Sequence, residues 1–237
     1  MNADFGSQAL QEGLMSRTTR RRRSPHQNFQ LQYDHVDIPQ FAAEYLATRY
    51  KGGTAADEDR KMEEAGRSIV GGEVTRRNVE KIYKWKSHRR MDLFVQNTDE
   101  EIEQAVIGAI NAKTPKEAIE SLTRLEGVGV KMASAILTAM FPELYTVCDF
   151  RASEALGAKD GNDVDFYVVY LDACRRMAKE YGVTLRDFDR GNWQWSKNRA
   201  KDKKQRDRCC ANRMQNSNNV SAPKACQSNQ TVLVVGL

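Results

Sequence analysis

The residues best suited to chemistry lie in the run Leu125-Glu-Gly-Val-Gly-Val-Lys131-Met-Ala133. Gly127 and Gly129 stand one residue apart, which lets the backbone take a tight turn that side chains would forbid. Val128 between them can tuck inward and lock two flanking helices together, and Ala133 permits close helix approach one turn later. Such a corner leaves backbone N–H groups free at the start of the second helix. With the positive end of the helix dipole they form an anion site suited to a DNA phosphate. Contact of that kind is blind to base sequence and serves to position the duplex. The other reading of the same residues is a tight corner between helices with a packing role alone.

The pattern of Leu125, Gly127, Val128, Gly129, Lys131, Ala133, Ile136 and Leu137 is similar to the helix-hairpin-helix motif. Over Leu125–Leu156 the chain resembles the helix-hairpin-helix superfamily of base-excision DNA glycosylases, which includes the endonuclease III-like enzymes. In that family a catalytic Asp follows the hairpin at a fixed distance, after a helix and a short extended stretch. Asp149 stands at that distance, beyond Pro142 and the extended Tyr145-Thr-Val-Cys148. Lyase-competent members carry Lys where Lys131 stands. The resemblance thus implies a DNA N-glycosylase, with or without abasic-site lyase activity, acting on double-stranded DNA that contains a lesion. It implies Asp149 and Lys131 as catalytic residues, phosphate contacts from Gly127, Val128, Gly129 and Lys131, and no cofactor. The chain departs from the family in three places. Arg151 stands where many members have His two residues after the Asp, Glu126 stands where Pro is common, and the four-cysteine iron–sulfur signature is absent.

The implied pair makes chemical sense. Breaking an N-glycosidic bond builds positive charge on the deoxyribose, which a carboxylate such as Asp149 stabilises while it helps prepare a nucleophile. That nucleophile is either water, leaving an abasic site, or the Lys131 amine, forming a Schiff base that permits strand cleavage by elimination. The target base must leave the stack, so a pocket between two helical lobes is implied. Each residue also has a plainer role: Asp149 as the N-cap of a helix, Lys131 as a phosphate contact.

The elements that must position these residues are helical. Ile38-Pro39 opens a helix with Phe41, Tyr45 and Leu46 on one stripe. A second is predicted over Ala55–Ile69, ending at Gly71-Gly72. A third covers Thr75–Ser87, and it and its exit carry Arg76, Arg77, Lys81, Lys84, Lys86, His88, Arg89 and Arg90. That basic stretch faces either a phosphate backbone or solvent with Trp85 in the core; the second is the expectation here. Thr98-Asp-Glu-Glu101 and Thr114-Pro-Lys-Glu117 are helix starts of capping-box and N1-proline form. Val164–Tyr181 and Thr184–Lys197 complete the set. In the last, Arg186, Asp187 and Asp189 either line the cleft or pack the domain and pair charges at its edge; the second is the expectation here. No segment alternates with period two for long enough to predict a strand. The expected fold is all-α, a two-lobed helical bundle with the hairpin and Asp149 at the cleft.

Composition sets the boundaries. Residues 1–36 hold five Arg against three acids, and residues 197–237 hold nine Lys or Arg against two Asp. With a net charge of +5 overall, residues 37–196 are left at −4, so charge alone does not argue that the body binds DNA. The two ends are polar and without sustained apolar period, and are read as disordered tails flanking a helical domain at 37–196. Arg20–Arg23 reads as a nuclear import signal, a nucleic-acid tether or a solvated charge run. No run of about 18 apolar residues is present, so no membrane span is expected. Five irregularly spaced cysteines without a CxxC pair signal neither zinc nor a disulfide framework. A nuclear, or otherwise cytoplasmic, monomer is expected. The rival functions are a DNA-binding module that keeps the hairpin without turnover, and a helical scaffold that uses the corner only for packing.

Overall fold

The computed structural model describes residues 28–50 and 52–218, with only the backbone described for 206 and 208–218. Ten helices are found among them: α1 (Ile38–Leu46), α2 (Ala55–Val70), α3 (Arg76–Lys86), α4 (Met91–Phe94), α5 (Asp99–Ile110), α6 (Pro115–Leu122), α7 (Val130–Met140), α8 (Phe150–Ala155), α9 (Val164–Glu180) and α10 (Leu185–Asn218). The fold is all-α apart from one small antiparallel pair, β1 (Arg49–Tyr50) with β2 (Gly53–Thr54), in the register Arg49 opposite Thr54. Two-residue strands carry no periodicity to read, which is why the sequence does not announce them.

The helix starts follow local chemistry. Thr98 caps α5 in a closed capping box with Glu101, and Thr54 does the same for α2 with Asp57. Thr114 caps α6 ahead of Pro115, and Pro39 sits in the first turn of α1, where a missing N–H leaves no bond unmade.

At the centre lies α7. Every residue from Met132 to Met140 is buried, so the helix is covered on all sides rather than along one stripe. Its small residues explain how neighbours come so close. At Gly66 of α2, an added Cβ would sit 1.9 Å from the carbonyl oxygen of Ala139, so the two backbones meet with nothing between them. α2, α3 and α6 pack around α7, and α5 closes on α6. α1, α8 and α9 pack instead on α10. The two sets meet where α1 touches α2 and α6 touches α9.

Two boundaries are corrected. The N-terminal tail was expected to reach residue 36, but residues 28–36 belong to the body. The amide of Gln30 donates to the carbonyl of Leu156 at 3.0 Å and that of Gln32 to Ala155 at 2.9 Å. Phe29 packs edge-on against Phe166 and Tyr170, and Tyr33 stacks on Trp195. A few aromatic residues in a polar segment suffice to dock it. At the other end, α10 continues past the expected stop at Lys197 to Asn218. The Arg20–Arg23 run and the apolar Val232–Val235 lie outside the described residues. No described helix is long and apolar enough to cross a membrane.

Candidate active site

A tight turn between two helices forms at the glycines. The chain leaves α6 and turns through Leu125–Gly129 into α7. Gly127 takes φ +79°, a left-handed conformation that favours glycine. There is also no room for a side chain: an added Cβ would lie 2.9 Å from both the Arg90 carbonyl oxygen and the Phe94 nitrogen. Val128 is buried. Two side chains fasten the turn from outside. Tyr83 donates its hydroxyl to the Gly127 carbonyl at 2.9 Å. Asn97 accepts from the Glu126 amide at 2.8 Å and donates to its carbonyl at 3.1 Å. Gly129, the N-cap of α7, is exposed and has open space around it. No side chain caps the start of α7, while Gly127 is pressed onto α4.

Asp149 is reached from α7 through a pinned stretch. The Ser134 hydroxyl donates to the Lys131 carbonyl at 2.8 Å and accepts from the Cys148 amide at 2.9 Å. The hydroxyls of Tyr167 and Tyr170 hold the carbonyls of Thr146 and Val147 at 3.2 and 3.1 Å. Asp149 then caps α8: its Oδ1 accepts from the amides of Arg151 and Ala152, both at 3.0 Å. Its other oxygen, Oδ2, accepts from the ammonium of Lys86 at 3.0 Å. Burial opposes the charge, but Lys86 and the two amides outweigh it and hold the carboxyl below the usual carboxylate range. Asp149 is thus both the N-cap and a held carboxylate. The two sequence readings of this residue are compatible.

This carboxylate lines a cleft of about 470 Å³, a size that admits a small-molecule-sized group. Tyr45 of α1, Tyr50 of β1, Trp85 of α3 and Trp193 of α10 form its aromatic walls, with Lys84, Lys86, Glu58, Asp189 and Arg190 around them. Trp85, expected in the core, is a half-buried wall of this cleft instead. The basic stretch of α3 is likewise not uniformly solvated, because Lys86 turns inward to Asp149.

The walls share one buried anchor. Asp59 of α2 is 1% exposed. Its Oδ1 accepts from the Tyr45 hydroxyl and the Trp85 indole N–H, both at 3.0 Å. Its Oδ2 accepts from Arg186 at 2.7 Å and Arg190 at 2.9 Å. Arg190 also reaches Glu63 at 3.1 Å, and Arg186 reaches Asp189 at 2.6 Å. Arg186 and Asp189 pair their charges as expected, but in the buried interior rather than at an edge, and Asp189 takes the alternative place in the lining of the cleft. Burial pushes the Asp189 carboxyl up to about 6 against the pull of Arg186, and the negative charge of Asp149 adds to the rise.

Lys131 lies elsewhere. It follows the first residue of α7, but its ammonium is paired with Asp160 and its side chain is 31% exposed, outside the lining of the cleft. The hairpin backbone and Asp149 are thus joined through Ser134, while the Lys131 side chain is not brought into the cleft. Sequence reasoning did not single out Lys86, Asp59, Tyr45 or Trp193. The only signal for Lys86 was its membership in a run of eight basic residues, and for Trp193 its aromatic type.

Among the described residues no group of His, Cys, Asp and Glu is arranged to hold a metal ion. Cys148 and Cys174 are buried free thiols, and burial pushes the Cys148 thiol up to about 12. Compared with protein families, with curated proteins and with solved structures, the chain finds no match in any of the three.

Proposed function

We propose that this chain is a DNA glycosylase of the helix-hairpin-helix type, which acts as a monomer on lesion-bearing duplex DNA and releases a base from it. The observation that carries the reading is the placement of Asp149. An ionised carboxylate with both oxygens engaged lines an aromatic cleft, and the residue before it is tied through Ser134 to the first turn of the hairpin helix. In this reading the amides at Gly129–Lys131, which no side chain caps, hold a backbone phosphate. The extruded nucleotide enters the cleft and its base stacks against the tryptophan and tyrosine walls. Asp149 then stabilises the positive charge that grows on the sugar as the glycosidic bond breaks.

Base release from a panel of duplexes, each with one damaged or mismatched base, tests this directly. One lesion is expected to be excised, and Asp149→Asn is expected to lose that activity while still binding DNA. Loss of release on every lesion, with salt-dependent binding retained, would instead establish a DNA-binding module without turnover. That second reading is favoured by one observation: the Lys131 ammonium is engaged by Asp160 rather than turned toward the cleft.

A further inference from the structure

We propose that Lys86, at the end of α3, is the amine that captures the deoxyribose, in place of the hairpin lysine. The inference rests on the base-excision reading above and adds to it a nucleophile that the hairpin pattern does not contain. Among the described residues lining the cleft there are two lysines. Lys84 is half exposed, and its ammonium is engaged by Glu80 at 3.0 Å. Lys86 is 16% exposed at its side chain and its ammonium lies 3.0 Å from Oδ2 of Asp149. Lys131 is outside the cleft.

The geometry around Asp149 assigns separate duties to its two oxygens. Oδ1 is fixed by the two amides of the α8 cap. Oδ2 faces only the Lys86 ammonium among the described hydrogen bonds, so it is the oxygen that can take a proton from it. The step balances as follows. The Lys86 ammonium passes a proton to Oδ2, and the freed amine attacks C1′ of the sugar. The C1′–N bond to the base breaks, and the base leaves with the electron pair and takes up that proton. The attached nitrogen, now a secondary ammonium, gives up one proton, its freed lone pair opens the C1′–O4′ bond, O4′ takes up that proton, and a protonated Schiff base joins Lys86 to C1′. At a pre-formed abasic site the same amine adds to the aldehyde and water departs instead. No oxidant or reductant is needed.

The test uses the full chain and a duplex with a single abasic site, treated with sodium borohydride. Hydride reduces the Schiff base to a stable secondary amine, and digestion followed by mass spectrometry of the wild-type adduct locates it. The modified peptide is expected to carry Lys86. Lys86→Arg keeps the cation beside Asp149 but cannot form a Schiff base, because its guanidinium stays protonated. That variant is expected to lose at least about tenfold of the trapped product. An adduct mapped to Lys131 or to the N-terminal amine overturns the proposal. So does undiminished trapping in Lys86→Arg. Base release by the wild type with no adduct at all also overturns it, while leaving the glycosylase reading in place with water as nucleophile. Absence of both release and adduct overturns both.

Discussion

The ammonium of Lys86 lies 3.0 Å from a carboxylate oxygen of Asp149, with the two side chains 16% and 15% exposed. Neither charge would rest easily there alone, since removing one partner of a poorly hydrated pair leaves the other uncompensated. The pair joins the C-terminal end of α3 to the N-terminal end of α8. It also places a cation and an anion side by side on the wall of an aromatic cleft.

Asp149→Asn separates charge from shape. Asparagine still caps a helix well, so α8 should persist, but Lys86 loses its counter-charge. Under the proposed function, base release is expected to fall by about a hundredfold or more, read in single-turnover assays, with a stability loss of about 1–3 kcal/mol in urea titration. The sign with pH follows from the direction of the shift. The Asp149 carboxyl is held low in the folded state, so its contribution is present above the unfolded value and lost as pH falls through the folded one. The variant should therefore show a shallower loss of stability on acidification below the usual carboxylate range.

Gly127 and Gly129 should respond differently to alanine. At Gly127 the φ is +79°, and an added Cβ would come within 2.9 Å of backbone atoms of Arg90 and Phe94, so a methyl group has no place. Gly127→Ala is expected to cost more than about 2 kcal/mol. Gly129 has φ −89° and open surroundings, so Gly129→Ala should cost under about 1 kcal/mol. Paired thermal melts of the two variants check this. Equal losses would mean that the turn is not pressed against α4 as described.

Asp59→Ala removes the anchor shared by Tyr45, Trp85, Arg186 and Arg190. The buried Arg186 and the half-buried Arg190 would then lack their central counter-charge, leaving Glu63, Asp187 and Asp189 to hold them. A loss of about 3–5 kcal/mol is expected, measured by denaturant midpoint. The cleft walls should also loosen, which fluorescence of Trp85 and Trp193 would report as a red shift even below the unfolding transition.

Asp189 carries the opposite pH signature to Asp149. Its carboxyl is raised to about 6 when folded, above the unfolded value near 3.9. The stability it contributes is therefore full below the unfolded value and lost as pH rises through about 6. Between pH 5 and 7.5 the wild type should lose roughly 1 kcal/mol that Asp189→Asn does not. Melting temperatures of both proteins across that range test it, and parallel curves would show that Asp189 does not titrate there.

Some of this was legible in the chain because it is local. A threonine followed three residues later by an acid marks a helix start from local chemistry: Thr98 closes a capping box with Glu101, and Thr114 caps α6 ahead of Pro115, so both starts could be read directly. Two glycines bracketing a valine likewise force a turn, and Gly127 duly takes the left-handed conformation. The helical class and the start of α8 at Asp149 belong to the same category. What needed the tertiary structure were relationships between residues far apart in sequence, where direction matters as well as position. Periodicity places Lys86 and Lys131 on their helices, but only the packing of α3 on α2 and α7 brings Lys86 to Asp149 and leaves Lys131 with Asp160. The docking of Phe29 and Tyr33, and the hold of Asp59 on α1, α3 and α10, arise in the same way. A side chain's charge is written in the sequence; its partner is fixed by which surfaces the buried core brings together.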